Sequence, residues 1–244
     1  IVAEQFGTLE TLYPGRVDLG LGRASGTDQL TAKALRRDRT ETVHDFPRDI
    51  VALQTYFSKE NSLSAVRAIP GEGLEIPLYL LGSSTFSAQL AGAMGLPYAF
   101  ASHFAPTHLH EALRLYHQNF EASQQCKVPY TIACVNVIAA ETDEKARYLE
   151  TSLQQLALGI IRNTRRPLPP PVESMDGLWQ GMEKAQIQHM MHYSFVGSRE
   201  TIKAQLADFI ETTRVNEIMA VSHIFDHQDR LKSYEILSSL LSTD

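Results

Sequence analysis

The sequence has little of several features that mark large classes of protein. Only two of its 244 residues are cysteines, too few for a disulfide framework or a four-ligand zinc site. The net charge is −6 and no run of basic residues occurs, which argues against nucleic-acid binding. There is no apolar run of about 18 residues and no signal-peptide pattern. We therefore expect no membrane span and no export, and a reducing cytoplasm is the predicted location.

Common catalytic motifs are also absent. The sequence has no Gly-x-Ser-x-Gly elbow, no Walker loop and no pair of catalytic carboxylates. Without an evident acid–base pair or nucleophile from the protein, the chemistry is predicted to come from a cofactor.

Alternation of strands and helices is the main pattern that is present. Apolar strands and amphipathic helices alternate five times, which predicts a parallel sheet wrapped by helices. A doubly wound sheet and an eight-unit barrel both fit this pattern. The first residues already read as the middle of a helix without an N-cap, so we expect a missing front part of a barrel. The predicted strands are 17–22, 77–82, 96–102, 128–140 and 217–222.

The first candidate site lies where the strand at 17–22 stops. Gly20 and Gly22 lack side chains that would block a close approach, and Arg23 follows directly. Because ligands of parallel α/β proteins bind at the carboxyl ends of strands, Arg23 is a candidate phosphate ligand. The glycine spacing also suggests a dinucleotide fold, but it misses G-x-G-x-x-G and a long polar stretch follows it, residues 24–45, where a helix would be required.

The second candidate site is Gly82-Ser83-Ser84-Thr85, where a strand passes directly into a helix. Free N–H groups, three hydroxyls and the helix dipole together favour an anion. Simple capping of the helix is the alternative, and it needs only one of the hydroxyls.

Histidines supply two further candidates. His103 ends a strand and is suited either to a ligand contact and proton transfer or to a plain backbone hydrogen bond. His223 and His227 have a spacing that resembles metal ligands, but they do not share a helical face. A contact with a ligand, or capping by Asp226 between them, is the alternative, and no metal site is predicted.

Four local features complete the prediction. Asp45 and Ser198 are predicted N-caps, and Thr142-Asp143-Glu144 is predicted to cap the helix that follows it. Residues 175–193 read as an excursion that covers one mouth of the fold.

Taken together, these segments resemble the flavin-dependent luciferase-like monooxygenases, the bacterial luciferase superfamily. The resemblance covers essentially the whole chain, and the joint order of the segments is more specific than any of them alone. They are residues 3–6, 12–23, 46–49, 80–84, 101–104 and 196–198.

The resemblance implies a (β/α)8 TIM barrel that binds FMN, with residues 1–244 as one domain that lacks the N-terminal strands. Arg23, Ser83, Ser84 and Thr85 would hold the phosphate, Gly82 would let it approach, and His103 would be the catalytic residue near the ring or substrate. Reduced FMN and O2 would form a C4a-peroxyflavin that oxygenates a small organic substrate, an aldehyde in the luciferases. A separate flavin reductase would supply the reduced FMN, and a homodimer is expected.

Two alternatives remain open. In the first alternative to the monooxygenase, the chain is a flavin-binding protein or fragment without turnover. In the second, it is a barrel oxidoreductase that uses a deazaflavin for hydride transfer. Oxygen consumption that depends on a reductase separates the monooxygenase from the first alternative. A preference for the deazaflavin without an oxygen requirement would indicate the second.

Overall fold

The computed structural model describes residues 1–23, 45–63, 65–164 and 166–241. Most of the predicted polar stretch 24–45 lies outside these residues. Within them, the helices are α1 Val2–Leu12, α2 Phe46–Phe57, α3 Thr85–Ala93, α4 Leu109–Gln118, α5 Asp143–Ile161, α6 Gly181–Met190, α7 Arg199–Thr213 and α8 His227–Leu241. The strands are β1 Leu19–Gly22, β2 Leu78–Gly82, β3 Tyr98–Phe100, β4 Thr131–Ala139, β5 Ser194–Gly197 and β6 Glu217–Val221.

The first of two compact units comprises Ile1–Ala99 and Arg114–Tyr130. Its strands β1 and β2 pair in parallel, and both have a glycine as their last residue. Two stacked tyrosines, Tyr98 and Tyr116, lie at its centre with their ring centroids 5.6 Å apart. The Tyr116 hydroxyl donates to the carbonyl of Leu96 at 3.0 Å, so this buried phenol has the partner that burial requires.

The second unit comprises Phe100–Leu113 and Thr131–Asp244. Its long strand β4 pairs in parallel with both β5 and β6. An apolar cluster between β4, α5 and α6 fills its core. The buried members of this cluster are Ile138, Ala140, Ala146, Leu149, Leu153, Ala157, Leu158, Met175, Ile187, Met191 and Ile224.

The presence and direction of the strands agree with the predicted class. All five predicted strands are present in shortened form, and the strand pairs within each unit are parallel. The predicted single domain over 1–244 stays a prediction. No helix of the described ranges combines the length and the apolarity needed to cross a membrane.

Helix N-termini show where local prediction works and where it fails. Ser84 and Thr142 cap α3 and α5 as expected, each accepting a hydrogen bond from the N–H three residues on. Asp45 and Ser198 occupy the predicted N-cap positions, but neither side chain caps the backbone. The Asp45 carboxylate instead pairs with Arg48 at 2.9 Å.

The predicted excursion at 175–193 is partly helical and partly core. It contains α6, whose Ile187 is buried in the apolar cluster of the second unit. Strand β5, which follows it, was not predicted. This strand has only four residues and is held by the end of β4, so its own sequence carries little signal.

Candidate functional site

Two parallel strand ends form the first part of the candidate site. In the register of β1 and β2, Gly22 lies opposite Leu81, so Arg23 follows one strand where Gly82 ends the other. Both carboxyl ends therefore lie at one edge of the sheet in the first unit, as the sequence predicts.

The guanidinium group of Arg23 lies over the ring of Phe86, 5.0 Å from its centroid. Phe86 is the second residue of α3, so the aromatic face holds a cation beside the start of that helix. Arg23 has no carboxylate partner in the described part of the chain. None of these described residues neutralises its charge, which suits a phosphate ligand.

The N-terminus of α3 offers several hydrogen-bond donors at this edge. The Ser84 hydroxyl accepts from the N–H of Ser87 at 3.3 Å and also lies 3.3 Å from the Ser87 hydroxyl. Ser83 and Thr85 are half-buried, and their hydroxyls have no partner among the described residues. The first N–H groups of α3 have no acceptor within the helix, and the dipole adds partial positive charge.

Gly82 has a packing reason to be glycine. A Cβ at this position would overlap the side chain of Ser87. The Ser87 hydroxyl donates to the carbonyl of Ser84 at 2.8 Å and lies 3.1 Å from the hydroxyl of Tyr98. Burial raises the pKa of Tyr98 to about 12, so this phenol stays neutral. Gly82 thus leaves room for Ser87, whose hydroxyl bonds the N-cap residue Ser84. The predicted role of Gly82 toward a phosphate stays a prediction.

His103 belongs to the second unit, where it follows β3 by three residues. Its ring is half-buried and packs edge-on against Phe104, with the centroids 4.6 Å apart. The Nδ1 atom is buried without a hydrogen-bond partner in the described structure. Burial lowers the pKa of His103, and the nearby His223 lowers it further. The neutral ring is therefore favoured near pH 7.

A fully buried asparagine, Asn136 of β4, was missed by sequence reasoning. Its Nδ2 donates to the carbonyl of His103 at 2.7 Å and to Oγ of Ser194 at 3.1 Å. Its Oδ1 lies 3.2 Å from Nδ1 of His223. The only available signal was a polar amide inside an apolar strand, which cannot indicate which residues it contacts.

The predicted alternative to a metal site is confirmed for Asp226. Its carboxylate accepts from the N–H groups of Gln228 and Asp229, at 2.8 and 3.0 Å, and so caps α8. His223 contacts Asn136, whereas Nδ1 of His227 lies 2.9 Å from a guanidinium nitrogen of Arg230. Among the described residues, no three potential metal ligands lie together.

The structure thus brings Arg23 together with the start of α3 in the first unit, and His103 belongs to the second unit. The first arrangement can bind a phosphate through one cation, two hydroxyls and helix N–H groups. The second can accept or hold a proton near neutral pH.

Comparison with known proteins gives the family context. The family model for luciferase-like monooxygenase matches residues 1–217. A luciferase-like monooxygenase of Escherichia coli (strain K12) is 47% identical over 236 residues, which are 97% of this chain and 70% of that protein.

Solved structures agree with this match. The apo form of MsnO8 superposes with a TM-score of 0.84 at 30% identity, over 98% of this chain and 73% of that one. The oxygenating constituent of 3,6-diketocamphane monooxygenase from Pseudomonas putida, a complex with FMN, has a TM-score of 0.68 at 17% identity. It is matched over 97% of this chain and 73% of its own. The likeness confirms the predicted α/β barrel fold class.

Proposed function

The chain belongs to the luciferase-like monooxygenase family, and we propose that it is a flavin-dependent monooxygenase that uses reduced FMN and O2. Its substrate would be a small organic molecule, with aldehydes as the first class to test. Bound reduced FMN would supply the electrons with which one oxygen atom of O2 enters the substrate and the other leaves as water.

The observation that carries this proposal is the open N-terminus of α3 beside Arg23. A phosphate monoester carries about two negative charges, which matches a guanidinium held over Phe86 and the unpaired N–H groups of the helix. The hydroxyls of Ser83 and Thr85 add neutral donors. Ser84 caps the helix, and donation from it to the phosphate would use the proton that now faces the Ser87 hydroxyl at 3.3 Å.

His103 is the proposed catalytic residue. Its ring is half-buried, its Nδ1 has no partner in the described residues, and its lowered pKa keeps it neutral near pH 7. A neutral imidazole of this kind accepts a proton at neutral pH or donates a hydrogen bond, according to its tautomer. We further propose a separate flavin reductase as the source of reduced FMN, and a homodimer as the assembly.

Comparison of FMN with riboflavin tests the phosphate site, because the two ligands share the ring and differ by the phosphate. We expect Arg23→Gln to weaken FMN binding by about 10- to 100-fold, the range of a lost charge-assisted hydrogen bond. Riboflavin affinity should stay unchanged. Fluorescence titration measures both.

Arg16→Gln is the matched control. Arg16 also lies over an aromatic ring, that of Tyr13 at 5.9 Å, but it precedes β1 and does not follow it. This variant should bind FMN as the wild type does. Equal losses for FMN and riboflavin in Arg23→Gln, or an equal loss in Arg16→Gln, would contradict the assignment.

Turnover is tested with NADH, a flavin reductase, FMN and a series of long-chain aldehydes. The expected result is aldehyde-dependent O2 consumption above the uncoupled background, with formation of the carboxylic acid. If the protein binds FMN but no tested substrate increases O2 consumption, the result would favour a binding protein. Reduced deazaflavin that transfers hydride without O2 would favour the deazaflavin alternative.

A further inference from the structure

Asn136 is an unusual residue for its position. It is 1% exposed and lies in the middle of β4, a strand otherwise made almost wholly of apolar residues. A buried amide without hydrogen bonds costs about 1–3 kcal/mol, so such a residue needs partners. Its partners come from the turn after β3, from β5 and from the residues after β6.

The contacts of Asn136 fix the orientation of its amide. The carbonyl oxygen of His103 can only accept a hydrogen bond, so the atom 2.7 Å from it must be the NH2 group of Asn136. The oxygen Oδ1 must then be the atom that faces His223. A flipped amide would place two oxygens in contact at the shortest of these bonds.

The orientation of Asn136 in turn fixes the tautomer of His223. Oδ1 can only accept, so Nδ1 of His223 must carry the hydrogen across the 3.2 Å contact. Burial lowers the pKa of His223, which keeps the ring neutral near pH 7. In the neutral ring with hydrogen on Nδ1, Nε2 carries a lone pair.

We propose that Asn136 is a positioning residue that presents Nε2 of His223 as a proton acceptor to a ligand group bearing hydrogen, such as a hydroxyl or thiol. Because the same amide also binds the backbone of His103, the two histidines are set by one side chain. When Nε2 takes a proton, the bond from Nδ1–H to Oδ1 of Asn136 is retained and becomes charge-assisted. The part of this inference that concerns the substrate rests on the proposed function. The assignment of the His223 tautomer does not depend on that function.

The electrostatic setting supports a shared role for the two histidines. Burial accounts for the lowered pKa of His223, and burial together with His223 accounts for that of His103. No carboxylate or ammonium group among the described residues contributes to either pKa. A proton on His223 therefore disfavours a proton on His103.

Imidazole nitrogen NMR on protein labelled with ¹⁵N-histidine tests the tautomer without any flavin. At pH 7.5 we expect one histidine with Nδ1 protonated and Nε2 unprotonated, assigned by its loss in His223→Asn. In Asn136→Ala this pattern should give way to a mixture of tautomers. A wild-type His223 with its hydrogen on Nε2, or a pattern unchanged in Asn136→Ala, would overturn the inference.

Two substitutions at His223 separate its two nitrogens. His223→Asn keeps an amide N–H at the δ position for Asn136 but has no atom at the position of Nε2. His223→Gln places an amide at the ε position and loses the δ donor. His227→Asn is the matched control, because the hydrogen bond of His227 is to Arg230 of its own helix.

With turnover in hand, His223→Asn should lower kcat/KM by about 100-fold, within the range for a lost general acid or base. It should also remove the acid limb of the pH–rate profile and leave FMN affinity and thermal stability unchanged. Wild-type kcat/KM in His223→Asn would overturn the inference. If the tautomer is found and the wild type turns over no substrate, the positioning role is supported and the monooxygenase proposal fails.

Discussion

At the residue scale, Gly82 shows that packing and the proposed phosphate binding both require a residue without a side chain at one position. The space that a side chain would need there is already taken by Ser87. Gly22, at the end of the neighbouring strand, differs: a Cβ there would lie 3.7 Å from the nearest atom, the carbonyl oxygen of Leu81. The two strand-end glycines therefore differ, because a methyl group would overlap Ser87 at position 82 and would make only an ordinary contact at position 22.

Gly82→Ala should destabilise the fold by about 1–3 kcal/mol, because Ser87 and the start of α3 must move to admit a methyl group. Ser87→Gly removes the side chain that a methyl group at position 82 would overlap. The free energy of unfolding of the double variant should therefore fall by less than the sum of the decreases in the two single variants. Urea unfolding measures all three.

Gly22→Ala is the control for this cycle and should unfold within about 0.5 kcal/mol of the wild type, as ordinary surface changes do. If the changes in the free energy of unfolding caused by Gly82→Ala and Ser87→Gly simply add in the double variant, the two residues do not compete for space.

At the element scale, two helices begin in similar ways but differ in what they bind. Both α3 and α7 follow a strand that ends in a glycine, Gly82 or Gly197, and in both cases a serine comes next. At α7, the carboxylate of Asp143 accepts from the N–H of Ser198 at 2.6 Å and from the hydroxyl of Thr201 at 2.9 Å. An internal anion thus already fills the start of α7, whereas no carboxylate does so at α3 in the described residues. This contrast supports α3 as the phosphate site.

The pH dependence of stability tests the role of Asp143. Its pKa is lowered mainly by the hydrogen bond from the Ser198 backbone, and then by Thr201. A lowered pKa contributes stability above the unfolded value, near pH 4, which is lost as pH falls through the folded value. Asp143→Asn should therefore melt at a lower temperature than the wild type at pH 7, and the difference should shrink toward pH 3.

Glu144→Gln is the matched control, since Glu144 is 80% exposed and bonds only Arg147 in the described structure. Its melting temperature should follow the wild type across the same pH range. If the melting temperatures of Asp143→Asn and the wild type differ by the same amount from pH 7 to pH 3, the charge of Asp143 is not the cause of the difference.

At the scale of the whole molecule, hydrogen exchange followed by mass spectrometry maps ligand binding along the entire chain. FMN should slow exchange in residues 82–88, where the first N–H groups of α3 would bind the phosphate. Residues 198–203 should be unaffected, because Asp143 already occupies the start of α7. Protection by riboflavin equal to that by FMN at residues 82–88 would contradict the phosphate assignment.

Much of the architecture could be predicted because it is local. Apolar periodicity identified the five strands found at their predicted places, and hydroxyl residues before helices identified the caps Ser84 and Thr142. The same reasoning was wrong about the side chains of Asp45 and Ser198. An N-cap position is a local property, whereas the partner of a side chain depends on what the fold brings near it.

The sequence by itself determined the alternation of elements, the glycine-bearing strand ends, and the placement of Arg23, Ser83, Ser84, Thr85 and His103 at ends of strands. These follow from residue spacing along one segment. Only the tertiary structure decided that Asn136 joins residues 33 and 87 positions away, and that Asp143 reaches residues 55 and 58 positions away. Contacts over such separations depend on strand pairing and register, so no local pattern specifies them.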